Sequence, residues 1–502
     1  MTKTEALQNL QERVFKANAY TQALSSMHWD ITAGGHVSPE SMEPRGAAMG
    51  FLMGEAEEFL SEPEVGECID VLEAEKDSLN EVEGAFLRVI KKSYKKIRLV
   101  PREEREKYAE LCVIAENTWE KAKNENDFSL MEPYYEQIFA TNRKFAEYYG
   151  YGAHPYDALV DEFEEGATVA DLDAFFDVIR ESIPPIVKQV ADYAAAHGQF
   201  RELKGDFGLD AQRELTGWLA TFVGFDTDKG RIGEVEHPFC TTINRFDVRI
   251  TTHYYEDLPL SSAYSVMHES GHAVYEQNMP AELIPYGLDD CASIAVHESQ
   301  SRFYENIIGR DKNFTPQLFK KMKALFPKCM RGWNAKTFYH ACNIARPSLI
   351  RTEADELTYP LHVLIRYELE KALIAGEIKV HDLPGLWADK YEQYLGIRPQ
   401  NDKEGVLQDM HWSGGVVGYF PTYALGSAYS AQLLHAMKKT VDVDAVIASG
   451  DISPVTAWLK EHIHSKGALI PPKQLIEQAT GEPFSVNYYI NYLRDKYLGL
   501  YS

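Results

Sequence analysis

Apolar residues recur at helical spacing along most of the chain. The 3.6-residue period is clear in TEALQNLQERVFKANAYTQAL (residues 4–24), AFLRVIKKSYKKIRLV (85–100) and LDAFFDVIRESIPPIVKQVADYAAAHG (172–198). No low-complexity linker separates these segments, and there is no internal repeat of about 20–50 residues. The pattern therefore predicts a mainly α-helical protein in which residues 1–502 form a single domain.

One segment, HPFCTTINRFDVRITTHYYE at residues 237–256, breaks the helical pattern. Phe246, Val248 and Ile250 alternate there with polar residues, and β-branched side chains are frequent, as is typical of a strand. We expect a small β-sheet at this point of the chain. The strand alone leaves two roles open: a hairpin that only caps the core, or an edge strand that lines a cleft and pairs with an extended peptide.

Composition and charge narrow the classes of partner. The chain is 45% hydrophobic with a formal net charge of −25, which argues against nucleic acid or an anionic membrane as its main partner. The six cysteines are scattered without a C-x-x-C pair, which favours a reduced, cytoplasmic protein. We find no run of about 18 apolar residues and no signal-peptide pattern, so we expect no membrane span.

The stretch MHESGHAVYEQ, residues 267–277, carries the strongest chemical signal. On a helix, His268 and His272 lie one turn apart on the same face, where two imidazoles can share a zinc ion, and Glu269 stands beside them as a general base. The alternative is a helix with two structural histidines. We expect this helix to have a serine N-cap and to stop at Pro280, and we expect Gly271 to mark the close approach of another element.

A catalytic zinc needs a third protein ligand, and the helical segment ASIAVHESQSRFYENIIGR, residues 292–310, offers candidates. Glu298 is one candidate, with an i,i+4 ion pair to Arg302 as its alternative role. His297 is a competing ligand that points about 100° away around the helix. Asp289 and Asp290 are candidates for orienting a ligand histidine, or for a solvated loop pair.

Several motifs occur together in the order of one known family. The chain resembles the carboxypeptidase Taq family of zinc metallocarboxypeptidases, and the motifs span nearly all of it. They are MHWD (27–30), HPF (237–239), DVRITTHY (247–254), HESGH (268–272), HESQSRFYE (297–305), IRTEADELTYPLHVLIRYELEKAL (350–373) and GVLQDMHWSGGVVGYFPTYALG (405–426).

The resemblance implies a large helical body around a deep central groove. The N-terminal helices would form one wall of the groove, a small β-sheet would lie near the metal site, and the assembly would be a homodimer. The resemblance also implies that His268, His272 and Glu298 bind zinc, for which cobalt could substitute, and that Glu269 is the general base. It thereby selects Glu298 over His297 as the third ligand.

The remaining site residues also follow from the resemblance. It favours His411 and Tyr423 as catalytic residues and Tyr419 as a substrate contact, whereas core packing would be their ordinary role. It favours Arg351 as the clamp for a substrate carboxylate, with Arg346 as second choice. The ordinary role of Arg351 would be a salt-bridged helix face with nearby acids. Two further substrate-binding residues are implied in the strand region, His237 and Arg249.

The function expected from these residues is a broad-specificity carboxypeptidase that releases single amino acids from the free C-terminus of peptides. A zinc-activated water would attack the scissile carbonyl while Glu269 takes its proton. Two alternatives stay open. One is a zinc endopeptidase or dipeptidyl carboxypeptidase on a similar scaffold, and the other is a non-catalytic helical binding protein with a structural zinc.

Overall fold

The computed structural model describes residues 1–35 and 37–502, and these are mostly α-helical. The helices of the first half of the chain are α1 (Lys3–Thr32), α2 (Met42–Ser61), α3 (Pro63–Ala74), α4 (Glu81–Leu99), α5 (Arg102–Glu125), α6 (Glu132–Tyr149), α7 (Pro155–Val160), α8 (Val169–His197) and α9 (Leu209–Val223). Those of the second half are α10 (Pro259–Asn278), α11 (Ile294–Arg302), α12 (Thr315–Leu325), α13 (Ala335–Cys342), α14 (Tyr359–Ala375), α15 (Leu383–Leu395), α16 (Phe420–Met437), α17 (Val443–Ser449), α18 (Ser453–His462), α19 (Pro472–Thr480) and α20 (Asn487–Leu500). The mainly helical fold is confirmed.

Tertiary contacts divide the chain into two compact units, each assembled from three stretches. Unit 1 comprises Met1–Arg98, Glu202–Cys342 and Leu433–Phe484, and unit 2 comprises Leu99–Arg201, Asn343–Gln432 and Ser485–Ser502. The single catalytic domain expected over residues 1–502 stays a prediction, as does the groove. None of the helices within the described residues is long and apolar enough to cross a bilayer.

In unit 1, α1, α3 and α4 share an apolar core. A capping box starts α1: the Thr2 hydroxyl accepts from the Glu5 backbone N–H, and the Glu5 carboxylate accepts from the Thr2 N–H. Ala6, Leu10 and Val14 recur every four residues, so they lie on one face of α1 and are buried. They pack with apolar residues of α3 and α4, which include Val65, Ile69, Leu72, Phe86 and Ile90.

The small sheet of unit 1 has the strand order β1-β3-β2, with β1 at Gly230–Glu234, β2 at Cys240–Asn244 and β3 at Asp247–Thr252. β1 pairs with β3 in parallel, whereas β2 pairs with β3 antiparallel. Val248 and Ile250 are fully buried, as their alternation predicts, but Phe246 lies before β3 and is 55% exposed. The expected sheet is confirmed, and because β3 packs on α10 it supports the helix that carries the H-E-x-x-H motif.

In unit 2, α14 packs against α6, α7, α8 and α15. It is buried on nearly every face, and two of its ionisable residues, Arg366 and Glu370, have no solvent exposure. Buried charges need hydrogen-bonded partners. The segment between α15 and α16 supplies Asp409 to Arg366 and Trp412 to Glu370, and it also carries His411.

Candidate active site

The H-E-x-x-H motif lies in the middle of α10, packed against α11. α10 begins at Pro259 after an N-terminal cap at Leu258, so the expected serine N-cap is wrong, although the helix does end before Pro280. A Cβ on Gly271 would lie 2.7 Å from both Gln300 O and Ser301 Cα on α11. The expected close approach at Gly271 is therefore confirmed, and it brings Glu298 of α11 to the two histidines.

His268, His272 and Glu298 form a compact triangle of ligand atoms. The Nε2 atoms of the two histidines are 3.2 Å apart, and Glu298 Oε2 lies 3.6 Å from His268 Nε2 and 3.5 Å from His272 Nε2. A tetrahedral zinc with bonds of about 2.0–2.1 Å spaces its ligands by about 3.3–3.4 Å. The two nitrogens and one oxygen therefore fit a zinc ion in both spacing and chemistry.

The second ring nitrogen of His268, Nδ1, contacts a carboxylate. This nitrogen lies 2.9 Å from Oε2 of Glu305, a residue of the π-helical turn Phe303–Ile308 that continues α11. Glu305 is itself held by Arg302 Nη1 at 3.0 Å and by Arg310 Nη2 at 3.7 Å. Because Nδ1–H donates to this carboxylate, Nε2 of His268 keeps its lone pair for a metal.

His272 is supported differently. Its Nδ1 contacts Nδ1 of His297, whose Nε2 lies 2.8 Å from Glu276 Oε1. His297, the competing ligand of the sequence analysis, thus stands behind a proposed ligand. Asp289 and Asp290 contact neither ligand histidine among the hydrogen bonds of the described residues. The acids that contact these rings are Glu305, which contacts His268, and Glu276, which contacts His297, and sequence reasoning missed both. Glu276 follows His272 by four residues on α10, whereas Glu305 lies on a different element.

Glu298 makes the ion pair with Arg302 and also faces the two histidines. Its Oε2 faces the histidines, while its Oε1 accepts from Arg302 Nε at 2.6 Å, the expected i,i+4 contact. Ser301 Oγ also donates to Oε2, at 3.2 Å. Burial raises the pKa of Glu298, but Arg302 and the two histidines together lower this pKa well below its ordinary value. Glu298 is therefore ionised throughout the physiological range.

Glu269 sits beside the triangle and is only 7% exposed. Burial raises its pKa to about 7; the nearby His268 acts to lower it, and Glu298 acts to raise it further. A carboxylate whose pKa lies near the working pH can both take and return a proton. α10 and α11 thus bring together a triangle of side chains that could hold a metal ion and an adjacent buried carboxylate.

Two residues of the strand region, His237 and Arg249, are predicted to bind substrate. His237 is exposed in the turn before β2. Arg249 of β3 is held side-on by Asp247, with Nε–Oδ1 at 2.8 Å and Nη2–Oδ2 at 2.6 Å, and its guanidinium lies 5.6 Å from the Trp29 ring centroid. Trp29 belongs to the MHWD motif, so this motif and the strand motif meet within unit 1. Substrate binding by His237 and Arg249 stays a prediction.

Unit 2 holds Arg351, which is 6% exposed, and the exposed Arg346. Arg351 does not pair with the acids next to it in sequence. Its Nε and Nη2 lie 2.9 and 2.8 Å from Asp409 Oδ1, and its Nη1 donates to Tyr359 Oη at 3.1 Å. Sequence reasoning missed Asp409, whose only signal is its place in the QDMHW motif.

His411, Tyr419 and Tyr423 form an aromatic group in unit 2. His411 Nε2 lies 3.2 Å from Tyr423 Oη, and the Tyr419 ring centroid lies 5.1 Å from that of Tyr423. The Arg351 guanidinium lies 5.0 Å from the Tyr423 centroid. Burial lowers the pKa of His411 to about 3, and Arg351 acts in the same direction. His411 is therefore a neutral hydrogen-bonding group at physiological pH.

Known proteins resemble this chain in both sequence and fold. Residues 9–497 match the family described as Carboxypeptidase Taq (M32) metallopeptidase. Carboxypeptidase 1 of Bacillus subtilis is 43% identical over 486 residues, 96% of each chain, and thermostable carboxypeptidase 1 of Thermus thermophilus is 34% identical over 515 residues, 100% of each. The structure of Trypanosoma cruzi metallocarboxypeptidase 1 superposes with a TM-score of 0.95 at 34% identity, covering 98% of this chain and 99% of that one.

The chain belongs to the carboxypeptidase Taq (M32) metallopeptidase family. The family resemblance drawn from the motifs is confirmed. The protein is thus a peptide hydrolase of the metallocarboxypeptidase class, and its substrates are peptides.

Proposed function

We propose that this protein is a zinc-dependent carboxypeptidase that releases single amino acids, with broad specificity, from peptides with a free C-terminus. The observation that carries the proposal is the triangle of His268, His272 and Glu298 with the buried Glu269 beside it. Cobalt could bind the same ligands, because the metal that occupies such a site depends on metal availability as well as on ligand type.

His268, His272 and Glu298 would hold the metal, and Glu305 and His297 would keep the two imidazole rings in place. Bound zinc would supply polarisation of the scissile carbonyl and a lowered pKa for a water molecule. A closed structural zinc site has four protein ligands. The metal-ligand group found in the described residues offers three, which supports a catalytic site.

Glu269 would act as the general base. Its carboxylate would take a proton from the water that attacks the scissile carbonyl carbon, and would later give this proton to the nitrogen of the leaving amine. Its pKa of about 7 favours both transfers near neutral pH. Burial has a second consequence, since a base shielded from bulk water keeps a fixed position relative to the triangle.

Tyr423 and His411 would stabilise the oxyanion that forms from the carbonyl oxygen. Neutral His411 can donate from Nε2 to Tyr423 Oη, at 3.2 Å, and so orient the hydroxyl that donates to the oxyanion. Tyr419, packed edge-on against Tyr423, would border the substrate.

Arg351 would bind the C-terminal carboxylate of the substrate. An arginine has five N–H donors. In Arg351 three of them point to Asp409 and Tyr359, which leaves one on each terminal nitrogen for a carboxylate. Arg346, His237 and Arg249 are proposed as further substrate contacts.

The proposal also covers the cellular location, the partners and the assembly of the enzyme. The six cysteines form no disulfide within the described residues, which supports a reducing, cytoplasmic environment. The net charge of −25 supports the absence of nucleic-acid and membrane partners. The homodimer rests on the family resemblance.

The decisive experiment is mass spectrometry of a mixed peptide set incubated with the purified protein. Parallel reactions contain a chelator, or a chelator followed by zinc or cobalt, and each peptide is present as the free acid and as the C-terminal amide. We expect stepwise loss of single residues from the free acids, abolished by the chelator and restored by metal. Internal cuts or released dipeptides would identify an endopeptidase or dipeptidyl carboxypeptidase instead. A lack of cleavage with either metal would contradict the enzymatic proposal.

A further inference from the structure

A buried carboxylate joins two arginines in unit 2. Asp409 Oδ1 lies 2.9 and 2.8 Å from Nε and Nη2 of Arg351, and Asp409 Oδ2 lies 2.7 and 2.6 Å from Nε and Nη2 of Arg366. Each oxygen thus holds one guanidinium side-on. Burial raises the pKa of Asp409, but the two arginines together lower it far below its ordinary value, so the group stays ionised.

The neighbouring Gln408 connects the same two arginines. Its Oε1 accepts from the backbone N–H of Arg351 at 2.9 Å and from Arg366 Nη2 at 2.8 Å. Its Nε2 donates to the backbone oxygens of Leu349 and Glu404, at 3.1 and 2.9 Å. The pair Gln408–Asp409 therefore fixes both the main chain and the side chain of Arg351.

The two arginines differ in the donors that they have left. Arg366 uses all five N–H groups: Nε and one Nη2 hydrogen on Asp409, the other Nη2 hydrogen on Gln408, and both Nη1 hydrogens on His362 O and Tyr391 Oη. Arg351 keeps two donors after its contacts with Asp409 and Tyr359. Arg366 is thus a support, and Arg351 is the arginine that can take a ligand.

The charge of this group is also incomplete. Two arginines face one carboxylate, so the hydrogen-bonded group carries one net positive charge, and the side chain of Asp409 is only 9% exposed. A buried positive charge without a counter-ion is costly, and one anion would balance it. A single substrate carboxylate on Arg351 meets this requirement.

We propose that Asp409, assisted by Gln408, is the positioning residue of the C-terminal carboxylate subsite. Asp409 fixes the Arg351 guanidinium by hydrogen bonds, and Arg366 in turn fixes Asp409. The negative charge of Asp409 balances one of the two arginine charges, so that the subsite accepts one carboxylate. The proposal rests on the function proposed above, in which Arg351 binds the substrate terminus. Asp409 acts through Arg351 and does not itself touch the substrate.

The test uses Asp409→Asn in the metal-loaded enzyme. Asparagine has nearly the same shape, but its amide nitrogen cannot accept from an arginine, so one guanidinium loses its partner. For a peptide acid we expect KM to rise about tenfold or more while kcat stays within about threefold, because ground-state binding is lost rather than the chemical step. For the matched C-terminal amide, and for the bound metal per chain, we expect no change.

Glu356→Gln is the matched control, since Glu356 is a buried acid of the same unit that pairs with Lys496 at 2.6 Å, away from this group. It should leave KM for the peptide acid unchanged. If Asp409→Asn does not fold, Gln408→Ala replaces it. That variant keeps the charges of Asp409, Arg351 and Arg366 but loses the hydrogen bond between the Arg351 backbone N–H and the side chain at position 408. KM for the acid should still rise several-fold.

Two results would overturn the proposal. In one, the folded Asp409→Asn enzyme keeps the wild-type KM for the acid. In the other, its activity falls equally on the acid and the amide, which is the mark of a general structural defect. Failure of the proposed function looks different, because the wild-type enzyme would then cleave acid and amide equally well.

Discussion

His272 and His297 face each other through their Nδ1 atoms, so a histidine rather than a carboxylate supports one of the two proposed ligand rings. The other ring nitrogen of His297, Nε2, lies 2.8 Å from Glu276 Oε1. Since His272 needs its Nε2 lone pair for a metal, its Nδ1–H donates to His297, and Nε2–H of His297 donates to Glu276. The two rings fix each other's tautomer.

We therefore expect His297→Phe to lower metal affinity about 10–100-fold, because the Nδ1–H of His272 loses its acceptor. Competition with a chelator of known affinity measures this directly, without any assay of turnover. Glu276→Gln should give a smaller loss. The exposed His381, in unit 2, provides the control His381→Phe, which should not alter metal affinity. Unchanged affinity in His297→Phe would show that the contact plays no part in holding the ligand ring.

Gly271→Ala should destabilise the protein. The added methyl group would lie 2.7 Å from Gln300 O and Ser301 Cα, so α10 and α11 would have to move apart. We expect a loss of about 1–3 kcal/mol in the free energy of unfolding, measured by urea denaturation. Gly217→Ala in α9 is the matched control, because a Cβ there meets nothing within 4 Å. That control should gain up to about 1 kcal/mol from helix propensity. Equal effects would contradict the packing account.

Arg351→Lys should impair cleavage of peptide acids. Lysine keeps the charge but loses the planar fork that holds Asp409 on one side and the substrate carboxylate on the other. We expect kcat/KM for a peptide acid to fall about 100-fold, with little change for the amide. Steady-state kinetics on the matched peptides measure this. Arg346→Lys is the control for the second choice. A larger loss in Arg346→Lys than in Arg351→Lys would move the clamp to Arg346.

Stability should fall in mild acid because of His464. Burial lowers the pKa of this fully buried histidine to about 3, and Lys460 and His297 act in the same direction. As a neutral ring it contacts Gln300 Oε1 at 2.9 Å and Asn278 Nδ2 at 3.3 Å. Its folded pKa lies below its unfolded value, so between these two values the unfolded chain binds the extra proton and the folded state is disfavoured.

The contribution of His464 should therefore be complete above its unfolded pKa of about 6.5 and should decline as the pH falls from there toward 3, by up to about 1.4 kcal/mol per pH unit. Urea denaturation at pH 7, 6 and 5 measures the slope. In His464→Gln, which cannot be protonated, the slope should be shallower. An identical slope in the variant would show that other groups cause the acid sensitivity.

Local spacing made much of the molecule predictable. The helices, the burial of Val248 and Ile250 and the i,i+4 histidines follow from the period of a helix or a strand. The close approach at Gly271 follows from the cost of a glycine inside a helix. The start of α10 did not, because Pro259 at the first turn outweighs the serines that follow it.

The rest depends on contacts between residues distant in sequence. β1 pairs in parallel with β3, and its own short sequence, GRIGE, does not indicate which strand it pairs with. Arg351 pairs with Asp409, in the loop before α16, rather than with the acids of its own segment, and only the tertiary fold brings these two residues together. Only the assembled fold shows that His297 contacts Nδ1 of His272 and lies outside the triangle of His268, His272 and Glu298.

Bound metal and turnover, measured on the same preparations of Glu269→Gln and Glu298→Gln, distinguish the base from the ligand. We expect Glu269→Gln to keep one metal ion per chain but to lose about 10²–10⁴-fold in kcat, because only the base is gone. We expect Glu298→Gln to lose both metal and turnover, because a ligand is gone. Wild-type turnover in Glu269→Gln, or full metal binding in Glu298→Gln, would contradict the roles assigned to these two carboxylates.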